Sequence, residues 1–206
     1  LMGITLLILW RYLLKKNVKN EIKSLYSLPG LLVIFAFAIN SITFTLGIQE
    51  TSVMVVLTAL ATMPIFAALL SSILMKESQG FLGWITICCA MIGVMVVVSD
   101  GPNAIGQPDG STILGATYGA ITALGLAFTF TMARKYKELG IIPAAAIGSL
   151  ISGLIGFYYS SYDEIFSAPV WAICTMGIII LPMSFACLSI APRFTSSAIV
   201  SLIMLL

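Results

Sequence analysis

What most constrains this chain is a succession of eight apolar runs, at about residues 1–14, 30–48, 52–75, 81–99, 113–133, 141–160, 169–189 and 194–206, with nearly every charge confined to the gaps between them. A bilayer core of about 30 Å takes roughly 20 apolar residues per helix, and a chain in lipid must satisfy its own backbone, as a helix does. The inner runs are near that length. We label the runs A to H and expect a helix from each, with the first and last cut short by the ends of the sequence. Charged residues make up 9% of the chain, against about 25% in soluble domains, so the surface suits lipid and not water. The expected fold class is an all-α membrane protein, a polytopic helical bundle.

The distribution of charge tests this count. Lys and Arg gather in the cytoplasmic loops of membrane proteins, and a wrong number of spans scatters them over both sides. Here the A–B gap carries Arg11, Lys15, Lys16, Lys19 and Lys23, the C–D gap Lys76, the E–F gap Arg134, Lys135 and Lys137, and the G–H gap Arg193. All ten basic residues thus fall on one face, while the other carries Glu50, Asp100, Asp109, Asp163 and Glu164. Merging runs B and C across the short turn Gln49-Glu50-Thr51 destroys the separation, so that turn is expected to be real. The basic gaps 15–29, 76–80, 134–140 and 190–193 are expected in the cytoplasm, and the chain in the cell membrane.

Several function classes fall away. A net charge of +2, spread along the chain, offers no basic stripe for a nucleic-acid partner. Histidine is absent, which removes His-based acid/base catalysis, Ser/His/Asp triads and most catalytic zinc sites from this stretch. The four cysteines, Cys88, Cys89, Cys174 and Cys187, lie inside apolar runs without a second CxxC-type pair and read as buried free thiols. No catalytic residue, metal or cofactor is expected.

The longest outer gap, 100–112, is rich in Gly, Pro and Asx and reads as a linker between two halves, 1–99 and 113–206. Laying Thr51 on Thr195 sets Thr51-Ser52-Val53-Met54-Val55-Val56 against Thr195-Ser196-Ser197-Ala198-Ile199-Val200. That pairs run C with run H, five spans later. A repeat with an odd number of spans inverts its second copy, which is the plan of many secondary transporters.

In run C, Thr51-Ser52 opens a helix containing Ala61-Thr62-Met63-Pro64-Ile65-Phe66-Ala67-Ala68-Leu69-Leu70, and Lys76-Glu77, Gly83 and the Gly93-Val94 pair follow. Run E proceeds from Gly115 through Ala127 to a basic exit at Arg134-Lys135. These residues resemble the EamA-like branch of the drug/metabolite transporter superfamily. The resemblance implies ten helices in two inverted five-helix repeats, of which the chain holds helices two to nine. Residues 1–99 would then be the first repeat without its first helix, and 100–112 an outer linker. Residues 113–206 would be the second repeat without the end of its fourth helix and its fifth.

Polar residues inside spans are the candidates for a substrate pathway. Asn40 lies midway along run B, where an unpaired amide in hydrocarbon costs several kcal/mol and must find a neighbour or a wet cavity. Pro64 has no N–H for the carbonyl one turn earlier, near Leu60, and so either kinks run C or opens it to a polar pathway. The resemblance places this helix beside a central cavity. Thr58 and Thr62 sit one turn apart on the same run, although threonine hydroxyls often return to their own helix. Tyr118 and Thr122 share a face of run E; the neighbouring step from Gly115 to Gly119 favours close helix packing. Trp84 and Trp171 stand near span ends and read as interfacial anchors.

No Lys or Arg lies deep in a span, which argues against phosphorylated cargo, and no mid-span Asp or Glu offers a proton relay. The expected function is a permease or exporter moving a small neutral, zwitterionic or amphipathic metabolite by alternating access, with the lipid bilayer as its other partner. The rival readings are a structural or regulatory membrane subunit and, with less support, a membrane-embedded enzyme.

Overall fold

A computed structural model of the chain describes residues 1–13, 18–76, 80–81, 83–85, 87–89, 92, 110–159, 169–190 and 199–200. The described elements are helices: α1 (Met2–Leu13), α2 (Val18–Leu25), α3 (Leu28–Glu50), α4 (Val53–Leu60), α5 (Met63–Met75), α6 (Gly110–Lys135), α7 (Ile141–Tyr159), α8 (Val170–Cys174), a π-helical segment (Thr175–Ile180) and α9 (Leu181–Ile190). Five stretches are long and apolar enough to cross a bilayer: Leu28–Glu50, Val53–Met75, Thr112–Lys135, Ile141–Tyr159 and Val170–Leu188. They correspond to runs B, C, E, F and G. Run A gives the shorter apolar helix Met2–Tyr12. Most of runs D and H, most of the 100–112 linker and the 195–198 part of the repeat match lie outside the described residues. The chain is an all-α, multi-pass membrane protein.

Local chemistry sets the helix ends. Ser27 caps α3 by accepting the Gly30 N–H at 3.4 Å, and Pro29 fits the first turn, where no donor is needed. At 1.5 Å per residue the 23 residues of α3 run about 34 Å, enough to span. Arg134 and Lys135 close α6, where positive charge complements the helix dipole. Lys76 ends α5 in the left-handed conformation, with φ 53.

The packing fixes the antiparallel order. Trp10 of α1 donates its indole N–H to Glu21 Oε2 of α2 at 2.5 Å, and the Gly140 N–H before α7 donates to Ser24 Oγ at 3.2 Å. The A–B and E–F gaps, both rich in basic residues, therefore meet at one end of the bundle. At the other end Gly115, near the start of α6, lies directly against Thr51 in the B–C turn. Helix α6 is central, with α3 on one side and α4 and α5 on the other, while α7 packs between α3 and α1. One core cluster joins Val33 and Phe37 of α3 to Met132 and Ala133 of α6 and Ala144 and Ala145 of α7. Another joins Met63 and Ala67 of α5 to Ala123, Leu126, Ala127 and Phe130 of α6.

Three sequence expectations need correction. Run C is not one helix: α4 ends at Leu60, Ala61 and Thr62 form a turn, and α5 starts at Met63. Pro64, fully buried in the first turn of α5, cannot donate to a carbonyl of α4, which is why the ladder breaks there. The A–B gap is not all loop, because Val18, Ile22 and Leu25 recur at helical spacing and α2 forms on them. The cysteines are free but not buried: Cys88, Cys89 and Cys187 are exposed and Cys174 is half-buried. In a bilayer an outward apolar side chain faces lipid, so an apolar run says nothing about which face meets protein. Smaller shifts of boundary occur too, since α6 begins at Gly110 and takes the last residues of the expected linker.

Candidate functional site

The seam between α3 and α6 brings together three of the six candidate residues. Asn40 is 6% exposed, and its Oδ1 has no hydrogen-bond partner among the described residues. It fits against Gly125 of α6, where an added Cβ would stand 3.5 Å from Asn40 Cβ and 3.8 Å from its Oδ1. An unsatisfied buried acceptor costs about 1–3 kcal/mol, so among the described residues this atom is an uncompensated polar group of the seam.

One turn along, Thr43 Oγ1 lies 2.9 Å from Thr122 Oγ1. Each hydroxyl also reaches back to its own helix, Thr43 to Ile39 O at 3.0 Å and Asn40 O at 3.2 Å, and Thr122 to Tyr118 O at 2.9 Å. A hydroxyl has one proton, so whichever threonine donates across the seam gives up a carbonyl of its own helix. Tyr118, half-buried one turn before Thr122, stands beside Gly47 of α3, whose added Cβ would come within 3.3 Å of Tyr118 Cβ. Asn40, Thr43 and Thr122 thus form a polar line along this seam, with Tyr118 beside it.

Thr58, Thr62 and Pro64 do not join that line. Thr58 Oγ1 donates to Met54 O at 2.8 Å within α4, and Thr62 Oγ1, in the turn, reaches back to Ala59 O of α4 at 2.7 Å. They mark the break in the α4–α5 span, whose inward face packs on the opposite side of α6. There Gly119 lets α4 approach so closely that an added Cβ would lie 2.7 Å from Ala59 Cβ and 2.9 Å from Val56 O. The glycine step from Gly115 to Gly119 is therefore a packing notch. Trp84 and Trp171 are exposed on the surface of the bundle.

Sequence reasoning passed over Thr43 and Gly125. A signal existed, because Asn40/Thr43 and Thr122/Gly125 are each three apart and so share a helix face. It also passed over the π-helical segment of run G. In π register the Gly177 carbonyl looks to residue 182, which is a proline without an N–H. Thr5 Oγ1 of α1 approaches that carbonyl at 3.2 Å, while also reaching Met2 O at 2.9 Å.

Residues 1–99, which contain α1 to α5, match the model of the EamA-like transporter family. Over those residues the chain is similar to that family. Members of this family are membrane transporters of the drug/metabolite type. The EamA-like half contributes Asn40 and Thr43 to the polar line, whereas Tyr118, Thr122 and Gly125 come from α6, beyond the matched residues. No curated protein and no solved structure shows significant similarity to the chain.

Proposed function

We propose that the chain belongs to a permease that moves a small neutral, zwitterionic or amphipathic metabolite across the cytoplasmic membrane, with the α3–α6 seam opening and closing in alternating access. The observation that carries this reading is the orphaned Oδ1 of Asn40. A seam that stayed shut would keep an acceptor unsatisfied in low dielectric for nothing; one that parts exposes Asn40, Thr43 and Thr122 to water or to cargo. In that reading α3 belongs to the first of two inverted repeats and α6 opens the second, with 100–112 as the outer linker between them. The basic gaps 15–29, 76–80, 134–140 and 190–193 face the cytoplasm by the positive-inside rule. The break at Ala61–Thr62 gives the α4–α5 span a hinge beside the moving helix.

No described span holds a cation in its interior, which argues against phosphorylated cargo. The test is transport of a metabolite panel into and out of vesicles containing the full-length protein. Asn40→Leu and Tyr118→Ala are expected to alter transport while leaving membrane abundance unchanged. Fluxes equal to those of empty vesicles for the wild type would sink the reading and favour a structural or regulatory subunit. Cysteine placed at position 122 discriminates further, because a seam that parts becomes open to a water-soluble thiol reagent and a permanent one stays closed.

A further inference from the structure

At the end of the bundle where the A–B and E–F gaps meet, a groove of about 390 Å³ runs between α1, α2, α3 and α7. Its wall includes Leu7 and Trp10 of α1, Ile22 and Leu25 of α2, Ile34 of α3 and Ile147 of α7. These side chains are apolar except for the Trp10 indole N–H, and that is donated to Glu21 Oε2. Apart from the largely exposed Tyr26 at its rim, the groove therefore has no polar group to hold water and no use for a polar ligand. Ile34 and Ile147 lie about two turns into spanning helices, so its floor is at acyl-chain depth, while α2 covers its mouth at the level of the polar boundary.

Charge on the helices beside the groove points to what fills it. Arg11 in the last turn of α1 and Lys23 of α2 are both exposed; neither lines the groove, but Arg11 lies one helical turn after the wall residue Leu7 and Lys23 one turn before Tyr26 at the rim. Between residues 11 and 23 the sequence carries five basic residues and one acid, Glu21, whose carboxylate is already engaged by Trp10. A basic segment at a membrane boundary concentrates anionic lipid, by about five-fold for each Lys or Arg near the surface. From an apolar floor and a basic rim we infer that this groove seats one acyl chain of an anionic phospholipid, with the lipid phosphate held by Arg11 and Lys23. Lipid bound there ties α2 to the start of α7 through the same elements that Ser24 and Gly140 already join.

Trp10 supplies a reporter inside the groove that does not depend on transport. In the full-length protein, every tryptophan except Trp10 is replaced by Phe. The protein is reconstituted in phosphatidylcholine vesicles containing an equal mole fraction of acyl-brominated phosphatidylglycerol or acyl-brominated phosphatidylcholine. Bromine quenches indole fluorescence on contact. The expected result is several-fold stronger quenching of Trp10 by the brominated phosphatidylglycerol, with that preference reduced several-fold in the Arg11→Gln/Lys23→Gln variant. Both side chains are exposed, so the variant retains its packing. Equal quenching by the two lipids in the parent protein, or a preference left undiminished by the double substitution, overturns the inference. Neither outcome touches the proposed transport, which this measurement does not read.

Discussion

Thr43 and Thr122 meet hydroxyl to hydroxyl at 2.9 Å, one from α3 and one from α6, and so link the EamA-like half to the helix that follows it. Because each retains a route back to its own helix, breaking the link leaves neither hydroxyl stranded. That makes it a contact suited to a seam that opens. Thr43→Val, Thr122→Val and the double variant form a cycle whose coupling energy is expected near about 0.6 kcal/mol, and not above about 1.7, as for other hydrogen bonds between membrane helices. Unfolding of the purified protein in mild detergent provides the measurement. Strictly additive effects would show that neither hydroxyl donates across the seam.

Asn40 behaves in the opposite sense. Removing an acceptor that has no partner returns about 1–3 kcal/mol, and the loss of carboxamide packing against Gly125 offsets part of it. Asn40→Ala is therefore expected to melt at or above the wild-type temperature while its transport falls. A variant that melts clearly lower and transports normally would identify Asn40 as glue between helices, the plainer of the two roles its sequence position allows.

The two glycines of α6 separate packing from pathway. An added Cβ at Gly119 comes within 3.0 Å of α4 backbone and of Ala59 Cβ, so α4 must move; at Gly125 the nearest atom, at 3.5 Å, is in ordinary contact. Gly119→Ala is expected to lose roughly 1–3 kcal/mol through overpacking, and Gly125→Ala to be neutral or to gain up to about 1 kcal/mol from helix propensity. Melting curves of the two variants under one condition decide it, and the reverse order would mean that α4 is not seated on Gly119.

The spans were legible because length and hydropathy are set by the bilayer: runs 30–48 and 141–160 correspond to Leu28–Glu50 and Ile141–Tyr159. The Pro64 break was legible as chemistry, though not as two separate helices. Which face of each helix packs was not legible, since lipid and protein interior are both apolar and periodicity carries little information about either. That is why Asn40 stood out, as a residue costly in any apolar surrounding, while Thr43 did not. A threonine that bonds its own helix looks the same from sequence whether or not Thr122 lies opposite. Helix α2 was hidden for a different reason, because its apolar side is far shorter than a span and its lysines marked it as loop.

Run G offers the sharpest test of such hidden backbone chemistry. Its π-helical segment Thr175–Ile180 directs the Gly177 carbonyl at Pro182, which has no proton to give, and the Thr5 hydroxyl stands 3.2 Å away instead. Thr5 shares that one proton with Met2 O and with Leu1 O at 3.3 Å, so its contribution is modest. Thr5→Val is expected to cost about 0.5–1.5 kcal/mol, the net value of one hydrogen bond, by loosening α1 from run G. Pro182→Ala restores a backbone donor within run G itself. If Thr5 serves the carbonyl that Pro182 leaves open, the Thr5→Val penalty shrinks in the Pro182→Ala background. Melting of the four proteins in the cycle measures this, and an undiminished penalty would assign Thr5 to the carbonyls of Leu1 and Met2 at the start of its own helix.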